Sequence, residues 1–295
     1  MTGAIAHVGP NLPQDLLRAT GRHAGPLPFD PERPTPAADR WMESKFAPWA
    51  RAILEGWAAG DYDGIGQVVF SRADDSAQRL YYYLCELQRR GLVAGPEALI
   101  CDIAKVPRTS SLARTVYSLR RLAKRLDVAH EALARAIDAC NAERAHSSPP
   151  SAGRCCLLAG TAPPDRRLHE AAARAGFAAS GPTLVETWTE LGAVVDDAGE
   201  DPVSALARQV HADPAGPRSF ADPGAALLQA IADSGAEAVV LWQIEEDEAQ
   251  AWHLPAQRAA LAREGLPALV MTRRDWLARD GAADEIAAFL QGIGQ

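Results

Sequence analysis

Short apolar runs alternate with amphipathic stretches along the chain, and the two periods separate strands from helices. In the first half, runs at Ala4 to Gly9, Gln67 to Phe70 and Ala98 to Asp102 read as strands. A helix led by Pro13 and closed at Gly21 follows the first run. The second run feeds a helix from about Asp75 to Arg90, and the third a helix from about Ser110 to Arg125; a further helix covers Val128 to Arg144. Five prolines between Gly25 and Pro36 predict loop. From Ala37 to Ala59 the stripe Trp41, Trp49, Ile53 and Trp57 predicts one long amphipathic helix, bent or divided at Pro48. Such a stripe fits core packing or a subunit contact, with ligand lining as the alternative.

The string His146-Ser-Ser-Pro-Pro-Ser-Ala-Gly153 marks a domain boundary. Beyond it the alternation repeats. Strands are expected at Arg154 to Ala159, Gly192 to Val195, Ala238 to Trp242 and Ala268 to Met271. Helices are expected at Asp165 to Ala175, Val203 to Val210, Pro223 to Ser234, Gln250 to Arg263 and Ala283 to Gln291. Strands that are apolar throughout, separated by helices, belong to parallel sheets covered on both faces. The fold class is α/β: two Rossmann-like or flavodoxin-like three-layer domains, with mostly parallel sheets, over residues 1–150 (with the long helices) and 151–295.

With 295 residues the chain can bury a sizeable core, and 47% apolar content fits a globule. No apolar run approaches the roughly 20 residues of a membrane span, and no basic segment with an apolar core opens the chain, so a cytoplasmic location is expected. A formal charge of −8 gives no general attraction to nucleic acid or to an anionic membrane, while leaving room for a local basic pocket. Five cysteines, Cys85, Cys101, Cys140, Cys155 and Cys156, are too few for a disulfide scaffold and form no CxxC pair, which makes them buried reduced thiols.

Two loops at carboxyl ends of strands carry the candidate chemistry. Ser71, Asp74, Asp75 and Ser76 follow the second strand, where the acids either line a ligand crevice or cap the helix. After the third strand come Asp102, Lys105, Arg108, Thr109, Ser110 and Ser111. One lysine, one arginine and three hydroxyls beside a helix start form a receptor for phosphate or a thioester carbonyl, which Arg114 would extend; the alternative pairs Asp102 with Arg108 and leaves Ser110 as a cap. Leu157 to Asp165 is a strand, loop and helix start that either receives an anion or is an ordinary turn, without the GxGxxG pattern. Of Tyr81, Tyr82 and Tyr83, at least one ring must leave the sheet face, toward a subunit interface. Glu245 to Glu248 read as a solvated loop and cap, and His253 has no identifiable partner. No Walker loop, GxSxG elbow or HExxH is present, and no metal spacing occurs.

Taken together, Val8-Gly9 with Asn11-Leu-Pro13, Asp74-Asp75-Ser-Ala-Gln-Arg-Leu80, Asp102-Ile-Ala-Lys-Val-Pro-Arg108-Thr-Ser110, and Trp252-His-Leu-Pro255 before Glu264-Gly-Leu-Pro267 resemble the 2-hydroxyacyl-CoA dehydratase and benzoyl-CoA reductase subunit family. The resemblance covers nearly the whole chain. It implies two α/β lobes, a four-iron, four-sulfur cluster on cysteine thiolates, a paired homologous subunit, and a separate ATP-dependent activator that injects an electron into an acyl-CoA thioester. The implied cluster cysteines fall at Asp74, near Phe46-Ala47-Pro48 and near Glu245 to Asp247, and none of these positions carries sulfur. The resemblance therefore implies a lyase-type subunit that binds acyl-CoA and contributes an interface, binds no cofactor alone, and leaves any [4Fe-4S] cluster to a cysteine-bearing partner or, in self-association, to none. Its alternatives are a noncatalytic acyl-CoA-binding or assembly protein and a non-redox enzyme acting on CoA thioesters. Within it, Arg108 and Lys105 are expected to contact an anion or carbonyl, Ser71 and Ser110 to orient it, and Asp74 to border the same crevice.

Overall fold

The computed structural model describes residues 3–146, 153–196, 199, 201–214 and 220–293. Its first elements are β1 (Ala4–Val8), α1 (Gln14–Ala19), β2 (His23–Pro26), α2 (Pro48–Ala59), β3 (Ile65–Ser71), α3 (Asp75–Arg89), β4 (Glu97–Cys101), α4 (Thr109–Arg125) and α5 (His130–Arg144). They continue with β5 (Cys155–Gly160), α6 (Arg167–Arg174), β6 (Ala178–Ser180), α7 (Leu184–Thr189), α8 (Pro202–Ala212), α9 (Pro223–Ser234) and β7 (Ala238–Ile244). The last are α10 (Glu248–Ala251), α11 (Leu254–Glu264), β8 (Ala268–Arg274) and α12 (Ala282–Gly292). Two compact units result: Met1–Ser147 with Trp188–Phe220, and Ser148–Thr187 with Ala221–Gln295. Where the sequence suggests two continuous halves divided at residue 150, the stretch 188–220 belongs with the first unit. The expected boundary string lies mostly outside the described residues.

Both units are α/β, each with a four-stranded, all-parallel sheet, in the orders β2-β1-β3-β4 and β6-β5-β7-β8. In each, the first strand lies between the second and third, which is a flavodoxin-like order. In the first unit, Val69 joins Ile5, Leu16, Leu17, Leu119 and Leu206 in one core, so α1, α4 and α8 cover one face. The alternate residue Phe70 meets Trp57 of α2 and Tyr81 of α3 on the other. Two-sided burial is why Val68-Val69-Phe70 is an unbroken apolar run. In the second unit β7 is buried at all its positions, and Val239 and Leu241 pack on Leu227, Ile231 and Leu261 of α9 and α11.

Four expectations change. The stretch called loop at Gly25 holds the end of β2, an edge strand that Pro26 can close without donating an outward hydrogen bond. The long helix from Ala37 is a single 3-10 turn, Ala38–Arg40, and a separate α2 that begins at Pro48. Proline pushes Ala47 out of helical geometry (ψ 136°) and needs no N–H partner in the first turn. Trp49 and Trp57 are core residues, stacked edge-on against Trp188 and Tyr62. Gly192 to Val195 forms no strand: the Asn141 side-chain amide accepts from Val195 N and donates to Val195 O, both at 2.9 Å, in place of a ladder partner. The helix expected from Gln250 to Arg263 is interrupted, and α11 starts afresh with Pro255 in its first turn.

The end of the first strand in each unit approaches its neighbour too closely for a side chain. Gly9 has φ +96°, and a Cβ there would lie 2.8 Å from Ser71 Cβ. Gly160 has φ +98°, and a Cβ would lie 2.3 Å from the Trp242 carbonyl oxygen. Gly160→Ala combines a disfavoured φ with a clash against backbone, and an expected loss of about 2 kcal/mol follows. Urea denaturation checks this; an unchanged midpoint would show that β5 and β7 can part at no cost. Among the described residues no helix is long and apolar enough to cross a membrane.

Candidate functional site

Open α/β sheets bind ligands beyond the carboxyl ends of their strands. In the first unit a crevice lies beyond the ends of β3 and β4. It has a volume of about 610 Å³ and is lined by Arg72, Ala73, Asp102 to Lys105, Arg114 and Phe220. Arg72 Nη1 (2.7 Å) and Arg114 Nη2 (3.0 Å) both donate to Asp102 Oδ2. Asp102 thus pairs with Arg72 and Arg114, not with Arg108 as the sequence alternative had it. One carboxylate serves two guanidiniums, which leaves the crevice cationic. Ala73, Ile103, Ala104 and the exposed ring of Phe220 supply apolar wall.

Of the residues chosen from the sequence, Asp102, Arg114 and Lys105 line this crevice, and Lys105 is the one held against the end of α8. Its Nζ donates to Val210 O (2.8 Å) and Asp213 O (2.7 Å), the carbonyls that end α8, where a cation meets the negative end of the helix. Burial lowers its pKa to about 8, against the opposing charge of Asp213. Two of its three donors are used, leaving one.

The other expected residues are placed apart from the crevice lining. Ser71 is buried, and its Oγ accepts from Ala73 N (3.1 Å), which shapes the turn after β3. Asp74 is the cap of α3, accepting from Ala77 N at 2.7 Å. Arg108 and Ser110 are exposed at the start of α4; Arg108 Nε points to Ser111 Oγ at 3.4 Å, and the cap position is Arg108 itself rather than Ser110. The loop after β5 is filled from within, Thr161 Oγ1 donating to Asp247 (2.9 Å) and Asp165 holding Arg167 (2.7 Å). Glu245 is ion-paired with Arg273.

Sequence reasoning found Arg114 but missed Arg72 and the continuation of the cationic face of α4 through Arg121, Lys124 and Arg125. Residues 114, 117, 118, 121 and 125 recur at helical spacing, a signal present in the sequence but shared with any solvated helix face. Arg114, Tyr117, Ser118, Arg121 and Arg125 all border a second, larger cavity, together with Arg72, Tyr81, Tyr82 and Lys124.

The residues present do not fit an iron-sulfur cluster. The five thiols sit on α3, β4, α5 and β5, and Cys155 and Cys156 alternate on one strand. Burial pushes Cys101 and Cys156 up to about 12 and Cys140 to about 11, so in the metal-free chain these three are neutral thiols. Among the described residues no three His, Cys, Asp or Glu side chains are grouped to hold a metal ion. Compared with known proteins, the chain matches no family model and no curated protein.

Proposed function

We propose that this chain is a cytoplasmic CoA-thioester-binding subunit of a 2-hydroxyacyl-CoA dehydratase or benzoyl-CoA reductase-like assembly, with the redox centre on a homologous, cysteine-bearing partner. The observation that carries the reading is the crevice beyond β3 and β4, which combines Lys105, Arg72 and Arg114 with the apolar wall of Ala73, Ile103, Ala104 and Phe220. A thioester has a carbonyl that accepts hydrogen bonds and an apolar acyl chain, and this crevice offers a donor to one and a wall to the other. The chain's part is to bind and orient the acyl group while an ATP-dependent activator and the partner supply electrons.

A 2-hydroxyacyl-pantetheine thioester, which lacks the nucleotide of CoA, is the probe. Lys105→Met is expected to weaken its binding at least about tenfold, the loss of one charged hydrogen bond. Phe220→Ala, at an exposed position that leaves the fold intact, is expected to weaken it about threefold through lost apolar contact. Calorimetric titration of the full chain reads both. Unchanged affinity in both variants would remove the reading.

A further inference from the structure

The second cavity, of about 730 Å³, lies over the open edge of β4 between α3 and α4, with Leu99, Ile100 and Leu122 as its apolar lining. Arg72, Arg114, Arg121, Lys124 and Arg125 border it, against Asp102 as the one carboxylate. Asp102 is shared by two of these arginines, and Arg125 is ion-paired with Glu97. In a chain of net charge −8, such an excess of cations at one cavity is a local electrostatic target for an anion.

Aromatic groups specify the anion further. Tyr82 of α3 and Tyr117 of α4 are each 53% exposed beside the cations. The Tyr117 ring is flanked by Arg114 and Arg121, both 5.7 Å from its centroid, which holds it as a platform. Half-exposed tyrosines flanked by guanidiniums suit a planar ring that carries phosphate.

The geometry disfavours larger occupants. An acidic peptide added to β4 would find edge amides over that five-residue strand alone, because past Cys101 the backbone is taken by α4: Asp102 N donates to Ser118 Oγ (3.2 Å) and Ala104 N to Thr115 Oγ1 (3.1 Å). A second copy paired edge to edge would set this group of cations against itself.

We propose that this cavity binds a nucleoside diphosphate, its base against Tyr82 and Tyr117 and its phosphates against Arg121, Lys124 and Arg125. The site shares Arg72, Asp102 and Arg114 with the crevice beyond β3 and β4 but does not depend on the thioester reading. ADP is the probe, titrated calorimetrically into the full chain at low salt, with adenosine, pyrophosphate and a Glu-rich peptide alongside. ADP is expected to bind one site per chain, and adenosine and pyrophosphate each at least about tenfold more weakly, since each keeps one of the two contacts. Arg121→Ala/Lys124→Ala is expected to cost at least about tenfold, and Tyr117→Leu about threefold or more. All three positions are exposed, so the fold survives the changes. Absence of ADP binding, ADP binding unaltered in the double variant, pyrophosphate binding as tightly as ADP, or displacement of ADP by the peptide would each overturn the proposal. ADP binding without pantetheine-thioester binding keeps this site and removes the functional reading.

Discussion

Replacing Arg144 with methionine is expected to destabilise the first unit by about 3–5 kcal/mol, because it strands a buried carboxylate. Arg144 and Asp15 are 3% and 1% exposed and form a two-pronged ion pair, Nη1 to Oδ1 at 2.8 Å and Nη2 to Oδ2 at 2.7 Å. The guanidinium also donates to Asn141 Oδ1 and twice to Leu191 O, so its donors are all used. The pair joins α1 to α5 and both to the stretch that returns after α7. In Arg144→Met the carboxylate of Asp15 loses its counter-charge while staying out of water. Arg144→Met/Asp15→Leu removes both charges and is expected to regain most of the loss, since a buried pair adds little beyond an apolar pair of similar volume. Urea denaturation of the three proteins reads the effect; a loss under about 1 kcal/mol in the single variant would show that water reaches Asp15.

The second large effect is on acid stability. His7 is fully buried, and burial together with the neighbouring His23 lowers its pKa to about 3. Its Nε2 donates to Trp188 O (3.0 Å), so its Nδ1 accepts from His23 Nε2 (2.8 Å), and this arrangement holds both rings neutral. With a pKa of 6.5 unfolded and about 3 folded, the unfolded chain binds more protons between those values. The contribution is complete above pH 6.5 and is lost as pH falls toward 3. Between pH 8 and pH 4 His7 alone accounts for about 3 kcal/mol. His7→Gln, which can still donate to Trp188 O, is expected to shrink the stability difference between pH 8 and pH 4 by that amount. Equal pH dependence in the two proteins would place the acid sensitivity elsewhere.

The strands that are apolar on both sides, such as Val68-Val69-Phe70 and Val239-Val240-Leu241, are legible in the sequence because burial on two faces leaves no polar alternation. The strand Ala178–Ser180 is not, since Ala-Ala-Ser has neither period nor bulk and is set by pairing with β5. Helix starts follow local chemistry where a cap or proline acts, as at Asp74, Pro48 and Pro223, and fail where a tryptophan stripe suggested helix from Ala37 up to Pro48. Lys105 was legible as a cation at a strand end, but not its partners, because the carbonyls of Val210 and Asp213 lie more than a hundred residues on. The stripe of cations and Tyr117 on α4 was visible as a spacing. Its meaning depends on the open side of β4, which only the strand order decides.

The return of residues 188–220 bears on how the chain can be divided. Leu206 and Val210 of α8 complete the core beneath α4, the last carbonyls of that helix hold the Lys105 amine, and Leu191 receives Arg144. A fragment ending near residue 147 would therefore expose an unfilled hydrophobic face and leave the Lys105 amine without its two carbonyls, while Arg144 would keep Asp15 and lose only Leu191. Residues 1–147 alone are expected to be unstable, and during synthesis the first unit's core is completed only once α8 has been made.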